Sequence, residues 1–483
     1  MIFASGGFRH GVHPPELKEL TSRLPIRRMP FPEEIVLPLR QHTGAPARAL
    51  VRRGDRVERG DRVGEATGFV SSPVHASATG VVKDVGLRRH ADGSMVESVV
   101  IAVDPVSPQL PRPRIVPEWE GLSPVRVVDA IRDAGVVGLG GAAFPTHVKL
   151  SPPEDVELDV IVANGAECEP YLTTDHRTMV EHPDRVMRGL RILMHALGVK
   201  RAIIGVEKNK PDAIRALRAV LPADLDVEVV GMTVKYPQGA EKMMLRTLLG
   251  RRVPPGKLPM HVGALVQNVG SIAAVAEVFD TGLPLIERIV TVTGRGLRKP
   301  ANLVVPVGTK VRDVLEFCGG LTPDARKVVF GGPMMGTALP YLDVPILKGT
   351  TGVVALTAAE ARGERIYPCI RCGLCLDACP VFLNPSELGR LGRAGRYEGM
   401  WDAHLADCML CGSCSYVCPS NIPLAQMFSL AKSQLRRVRD LERKKEEERA
   451  KEEAAADAPV VPEPPEATDD GAGGEERREE AIA

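Results

Sequence analysis

The placement of the cysteines constrains this chain more than any other feature. There are ten, and eight of them fall between Cys369 and Cys418. They form two runs of one pattern, Cys-x-x-Cys-x-x-Cys-x-x-x-Cys-Pro: Cys369, Cys372, Cys375, Cys379, then Cys408, Cys411, Cys414, Cys418. Two-residue gaps let three thiolates of a run turn toward one cubane, while the fourth, at the start of a segment pointing away, reaches the other cluster. The spacing therefore predicts two [4Fe–4S] clusters. Cys369, Cys372, Cys375 and Cys418 hold one; Cys379, Cys408, Cys411 and Cys414 hold the second. Zinc is the competing reading, but zinc sites use paired Cys-x-x-Cys units with four ligands each, without the Cys-Pro ending. Cys168 and Cys318 stand apart and read as buried, inert thiols.

With 483 residues the chain is long enough for several domains. Lys plus Arg number 62 and Asp plus Glu 61, a net charge of +1, and aromatics are 4%. That balance gives no pull toward nucleic acid. The start lacks a basic segment followed by an apolar core, and no run is apolar enough for a bilayer span, so neither a signal peptide nor a transmembrane segment is expected.

Texture divides the chain. Residues 1–38 are proline-rich and read as an extended leader packed on a neighbour. Residues 39–104 alternate short β-rich pieces with Gly and Asp turns, which predicts a small all-β unit. Their pattern resembles a barrel-sandwich hybrid of the lipoyl type, with His75-Ala76-Ser77 where such domains carry a modified lysine, so no prosthetic arm is expected. Residues 105–122 form a Pro-rich linker. Ser123-Pro124 opens a helix, Ser as N-cap. Over 123–283 strands alternate with helices, which predicts a Rossmann-like α/β domain on a parallel sheet. Residues 284–345 read strand, strand, helix, strand and resemble the soluble-ligand-binding β-grasp module; 346–366 read as a connector. Residues 367–430 form a helical two-cluster, ferredoxin-type domain. Residues 431–453 predict a charged helix, and 454–483 a disordered tail. The fold class is multidomain, α/β plus α+β.

A second motif precedes the first parallel strand: Gly138-Leu139-Gly140-Gly141-Ala142-Ala143-Phe144-Pro145-Thr146-His147-Val148-Lys149. Small residues in a row leave backbone N–H groups free and admit a flat ring or a phosphate. A strand follows, ending in Asn164-Gly165-Ala166-Glu167-Cys168-Glu169-Pro170, and later Val266-Gln267-Asn268-Val269-Gly270-Ser271. In this order the three motifs resemble the NADH-binding flavoprotein subunit of respiratory complex I. The order of modules, together with GGFRHGVHPPELK, YPQGAEK and FGGPMMG, resembles more closely the RnfC-type subunit of the ion-translocating electron-transport complex, over residues 1–430.

The resemblance implies non-covalent FMN lined by Gly138, Gly140, Gly141 and Phe144, with Lys149 facing its ring or phosphate. Asn164 and Glu167 would bond the ring or ribityl chain, and Asn268 and Ser271 the phosphate at a helix N-terminus. Glu169, with Phe144, would act catalytically on the nicotinamide of NADH. FMN takes two electrons from NADH and releases them singly to the clusters. The implied setting is peripheral, on the cytoplasmic side of the inner membrane. Partners would be membrane-embedded and peripheral subunits of the same complex and a ferredoxin or other electron-carrier subunit, with no nucleic acid. Two other readings use the same modules: a soluble flavin/iron–sulfur cobalamin reductase, and a non-catalytic electron relay or scaffold, kept open by Ala166 where complex I has aspartate.

Overall fold

Alternation of strand and helix past Gly135 produces the parallel sheet it predicts. In the computed structural model, which describes residues 7–113, 119–361 and 365–456, four strands pair in parallel. Their order is Asp226–Met232, Arg201–Glu207, Val160–Gly165, Ala264–Asn268. Side chains alternate across a strand, so this sheet feeds two cores. Ile161, Ala163, Ile204 and Val206 pack under the helices Pro183–Leu197, Pro211–Ala219 and Val269–Thr281. Val160, Val162, Ile203 and Val266 pack under Glu241–Leu249. Buried on both faces, the strands are near-continuously apolar, as parallel strands must be. Their carboxyl ends open onto the candidate site. The helix at Pro124 runs to Asp133, but the Ser123 side chain makes no capping bond.

The all-β unit is two small antiparallel sheets. One is ordered Glu34–Pro38, Met95–Val103, Gly80–Arg89, Arg56–Val57; the other Arg48–Ala49, Arg62–Glu65, Val74–His75. Ile35, Leu37, Val63, Val74, Val99 and Ile101 fill the space between. His75, Ala76 and Ser77 are buried, and Ser77 donates to the Val307 carbonyl at 2.5 Å.

Three boundaries differ from expectation. The leader is not wholly extended: Glu34–Pro38 is a strand of the first β sheet, and Ile26–Arg28 pairs in parallel with Ala301–Pro306. The connector 346–366 contains Gly352–Thr357, which lies inside a six-stranded sheet between Glu287–Thr293 and Ala325–Phe330. Ile26–Arg28 is only three residues long and Gly352–Thr357 is apolar without alternation, so period-2 reading passes over both. The charged helix spans Leu424–Ala456, so residues 454–456 are helical; the rest of the expected tail lies outside the described residues.

The leader also ties the cysteine module to the parallel domain. Gly11 N–H donates to the Ala378 carbonyl at 3.2 Å, and Val12 exchanges two 2.9 Å backbone bonds with Tyr236. The cysteine segment itself is built of short helices, Leu374–Asp377, Pro385–Arg393, Tyr397–Asp402 and Ser413–Tyr416, with Asn384 capping the second through Glu387 N–H. The chain divides into two units, Met1–Ala431 and Lys432–Ala483; in the second, the described residues are helical. Among the described residues no helix is long and apolar enough to cross a membrane.

Candidate functional site

The glycine motif folds as a tight loop pinned at its base. Gly138 N–H bonds the Phe144 carbonyl at 2.8 Å, and Val137 bridges Pro145. The peptide groups of Leu139 are fixed from behind: its N–H donates to Ser271 Oγ at 2.7 Å and its carbonyl accepts from Arg288 at 2.6 Å. Gly141 has φ +103°, a region that favours glycine, and a Cβ on Gly140 would come within 3.3 Å of Asn268. The loop tip, Gly140 to Ala142, is exposed.

The acidic strand end turns in two directions. The carboxamide of Asn164 donates to the Gly239 carbonyl at 2.8 Å and accepts from Ala166 N–H at 3.1 Å. Glu167 accepts from Thr174 Oγ1, Asp175 N–H and His176 N–H at 3.0, 2.9 and 3.2 Å, capping the helix Thr174–Glu181. Glu169 accepts from the N–H groups of Met334 and Met335 at 3.1 and 2.8 Å, and burial pushes its carboxyl up to about 7. Lys18, from the leader, donates to the carbonyls of Glu169 and Leu172, and burial lowers its ammonium.

Gly138, Gly140, Phe144, Lys149, Asn164, Glu167, Glu169 and Asn268 line one cavity of about 630 Å³. The expected site residues also bond within the protein. Ser271 is fully buried behind the loop, its hydroxyl accepting from Leu139 N–H. The Asn268 carboxamide caps Ser271 N–H and donates to Asp175 at 2.7 Å. Lys149 pairs with Glu241 and donates to the Val266 carbonyl at 3.1 Å. Glu167 and Glu169 turn to different partners, because the strand ends at Gly165 and its two-residue period ends with it.

Other residues complete the wall. Asp175 is buried beside Asn268, and burial, then Glu167, pushes its carboxyl up. Arg288, wholly buried, is lowered to about 10 by that burial. Cys168 lines the cavity as a thiol pushed up to about 12 by burial; Cys318, buried elsewhere, is pushed up to about 11. Asp175 follows shortly after Pro170, Tyr236 opens YPQGAEK and Lys18 ends GGFRHGVHPPELK. Their sequence signal was present; their hydrogen-bonding roles needed tertiary neighbours.

The eight cassette thiols gather as two groups. Burial raises Cys375, and its thiol neighbours are Cys372, Cys418 and Cys369. Burial raises Cys414, and its thiol neighbours are Cys408, Cys411 and Cys379. The second four line one small cavity with Leu388 and Phe428. Among the described residues no three His, Cys, Asp or Glu side chains close on a single ion. A cubane takes each thiolate on a separate iron, so its four ligands stand apart around a cradle of this kind. Cys408 and Cys411 also line the larger cavity, together with residues of the glycine loop. Tyr236 donates to the Cys411 carbonyl at 2.6 Å.

Four family descriptions match in order: the RnfC barrel sandwich hybrid domain over residues 6–105, the Nuo51 FMN-binding domain over 131–277, the SLBB domain over 289–338 and the 4Fe-4S dicluster domain over 365–422. The chain is 44% identical to a subunit of the proton-translocating ferredoxin:NAD(+) oxidoreductase complex of Clostridium ljungdahlii, over 81% of this chain and 85% of that one. It is 43% identical to a subunit of the Na(+)-translocating ferredoxin:NAD(+) oxidoreductase complex of Acetobacterium woodii, over 82% and 89%. It is 41% identical to a subunit of the ion-translocating oxidoreductase complex of Rhodobacter capsulatus, over 89% and 83%.

Proposed function

We propose a function from one premise: the chain belongs to the family of RnfC-type subunits of ion-translocating oxidoreductase complexes. It is an oxidoreductase subunit of such a translocase, it carries an FMN-binding and a two-cluster iron–sulfur domain, and its partners are the other subunits of the complex. By analogy with the relatives' names, the reaction joins NAD and ferredoxin chemistry. The RnfC-type first domain disfavours the soluble cobalamin reductase.

FMN exchanges a hydride's two electrons with NADH and single electrons with [4Fe–4S] clusters. The chain's own residues supply place and order. Gly138, Gly140, Gly141 and Phe144 would hold the flavin, with Lys149 and Asn164 at its edge. Cys379, Cys408, Cys411 and Cys414 would hold the inner cluster, and Cys369, Cys372, Cys375 and Cys418 the outer one. Ser271, Arg288 and Glu167 stiffen the wall. Glu169 fixes the 332–335 loop against the cavity. We assign the sub-folds as barrel-sandwich hybrid, Rossmann-like flavin domain, β-grasp module and ferredoxin-type module, and place the subunit on the cytoplasmic face of the membrane.

The observation that carries this reading is the shared wall: one cavity is lined by the glycine loop and by Cys408 and Cys411. Short separation between a two-electron and a one-electron site is what the chemistry requires. The relay reading draws on Glu169, whose carboxylate oxygens already accept Met334 and Met335. Both are decided by purifying the full chain without air, measuring FMN and iron, and titrating with NADH. About eight irons and one FMN, with flavin bleached by NADH, are expected. Bound flavin that NADH leaves oxidised would establish the relay.

A further inference from the structure

The glycine loop is held by the first β domain as well as by Ser271 and Arg288. Thr43 N–H donates to the Ala143 carbonyl at 3.1 Å, and Thr43 Oγ1 donates to the Ala142 carbonyl at 2.9 Å. Directly after the loop, His147 Nε2 donates to the Phe69 carbonyl at 2.9 Å, and the two rings meet edge to face at 6.0 Å. Thr43 itself stands on a fixed turn. The His42 ring accepts from Ser72 N–H at 3.0 Å, and Ala45 N–H donates to the Val70 carbonyl at 2.9 Å.

The sheet that follows the parallel domain joins in through one buried ammonium. Lys348 Nζ donates to the Pro73 carbonyl and to the Gly135 carbonyl, just ahead of the loop, both at 2.7 Å. Its backbone N–H donates to Gln41 Oε1 at 3.2 Å. Beside it, a Cβ on Gly349 would stand 2.8 Å from Ala143 Cβ. Residues of three domains thus close on the 135–147 segment.

Holding carbonyls also aims N–H groups. A planar trans peptide points its C=O and N–H to opposite sides. With the Ala142 and Ala143 carbonyls turned to Thr43, the N–H groups of Ala143 and Phe144 turn away from it, and among the described residues they meet no acceptor. A backbone N–H is an obligatory donor, so this pair is set for a ligand. The loop tip is otherwise exposed, and little else orders it.

We infer that the barrel-sandwich domain is a brace for the flavin site, with Thr43 and Lys348 as positioning residues that set FMN affinity. The inference rests on the reading of residues 138–149 as the flavin loop. Neither Thr43 nor Lys348 lines the cavity, so each acts through the loop. A loop already in its bound shape avoids the ordering cost that a looser one adds to binding.

The test uses the full chain, prepared without air with its iron in place. Flavin is removed and FMN is titrated back, following the quenching of flavin fluorescence; amide exchange over 140–144 is read on the flavin-free protein. Thr43→Val keeps the shape and loses the hydroxyl donor at an exposed position. It is expected to weaken FMN binding about fivefold and to speed exchange over 140–144 in step. Thr43→Ser, which keeps the hydroxyl, should match the wild type. Lys348→Met, which strips two carbonyls of their donor, should weaken FMN binding about tenfold or more. Ser98→Ala removes a hydroxyl bond of the same domain, made to Val96 within its own strand, and should leave FMN affinity unchanged. Wild-type affinity in Thr43→Val, or an equal loss in Ser98→Ala, overturns the brace and leaves the proposed function standing. A wild type that takes up no FMN overturns the proposed function instead. Exchange over 140–144 still decides in that case: faster in Thr43→Val, the domain orders the loop; unchanged, the brace falls too.

Discussion

The two cysteine cassettes are one local structure in two surroundings. Arg371 and Leu410 have φ of +57° and +56°, Gly373 and Gly412 +79° and +78°, Phe382 and Asn421 +59° and +52°. The short helices Leu374–Asp377 and Ser413–Tyr416 occupy equivalent places. Yet Cys369 and Cys372 are exposed, whereas Cys411 is buried and Cys408 half-buried. A Cβ on Gly373 would meet nothing within 4 Å; one on Gly412 would stand 2.4 Å from the Met334 carbonyl oxygen. Spacing thus writes the chemistry of each run, while packing against Tyr236, Met334 and the cavity wall decides which group faces the flavin side and which faces outward.

The strongest way to break this comparison is to remove one fourth cysteine at a time. Because these ligands cross over, Cys379→Ser should abolish the inner cluster, although Cys379 lies in the first run. Cys418→Ser should abolish the outer one. Low-temperature spin-resonance spectra of NADH- and dithionite-treated protein would show which signal is lost. If Cys379→Ser instead deletes the cluster of Cys369, Cys372 and Cys375, each run binds its own metal and the crossing is wrong.

The glycines sharpen it next. Alanine at either position carries left-handed backbone strain of about 1–2 kcal/mol. Only Gly412→Ala also drives a methyl into the Met334 carbonyl. Gly373→Ala should leave FMN content intact and loosen the outer cluster slightly. Gly412→Ala should displace the 332–335 loop and lower both inner-cluster iron and flavin occupancy. Equal losses in the two variants would mean that backbone strain alone is being read, and that the tertiary difference has no consequence.

Glu169 gives the pH dependence of the buried side. Its carboxyl is raised from 4.5 to about 7 by burial. With the folded value above the unfolded one, its contribution is fully present below about 4.5 and is lost as pH rises through about 7. The wild type should therefore lose protection of the 332–336 amides between those limits, measured by hydrogen exchange corrected for intrinsic rate. Glu169→Gln, unable to ionise, should flatten that profile. The 369–373 segment, far from this carboxyl in sequence and exposed, should show neither trend; a matching slope there would assign the effect to another group.

Legibility in the sequence followed the range of the interaction. The two cassettes, the glycine loop and the alternation of strands with helices are local patterns, and each stands where its spacing places it. Missed elements were those with no local signal. Ile26–Arg28 and Gly352–Thr357 are strands only because a sheet supplies their partners. The site residues divide the same way. Gly138, Phe144, Asn164 and Glu167 line the cavity, while Ser271 holds Leu139 and Glu167 also caps a helix. A motif gives the residue type a site needs; which atoms remain open to a ligand depends on neighbours more than 100 residues away, as for Ser271 Oγ and Leu139 N–H, separated by 132.

Tyr236 makes the smallest and most local test. Its backbone is paired with Val12, its ring is buried, and its hydroxyl donates to the Cys411 carbonyl. Burial pushes the phenol's acidity far down, so it stays a protonated donor wherever the protein is folded. Tyr236→Phe keeps the packing and removes one hydrogen bond, leaving the carbonyl without that donor, at a cost of ~1 kcal/mol. That corresponds to about a fivefold rise in amide exchange for the backbone around 408–412, if opening there is local. The rise should be the same at pH 6 and pH 8, unlike the Glu169 effect, because no proton is gained or lost. FMN and iron contents should not change. The equivalent backbone of the first run, 369–373, receives no such bond from Tyr236 and should exchange as before. A parallel rise there would mean that Phe at this position loosens the whole cysteine module through the leader, and the buried run would lose its claim to a separate anchor.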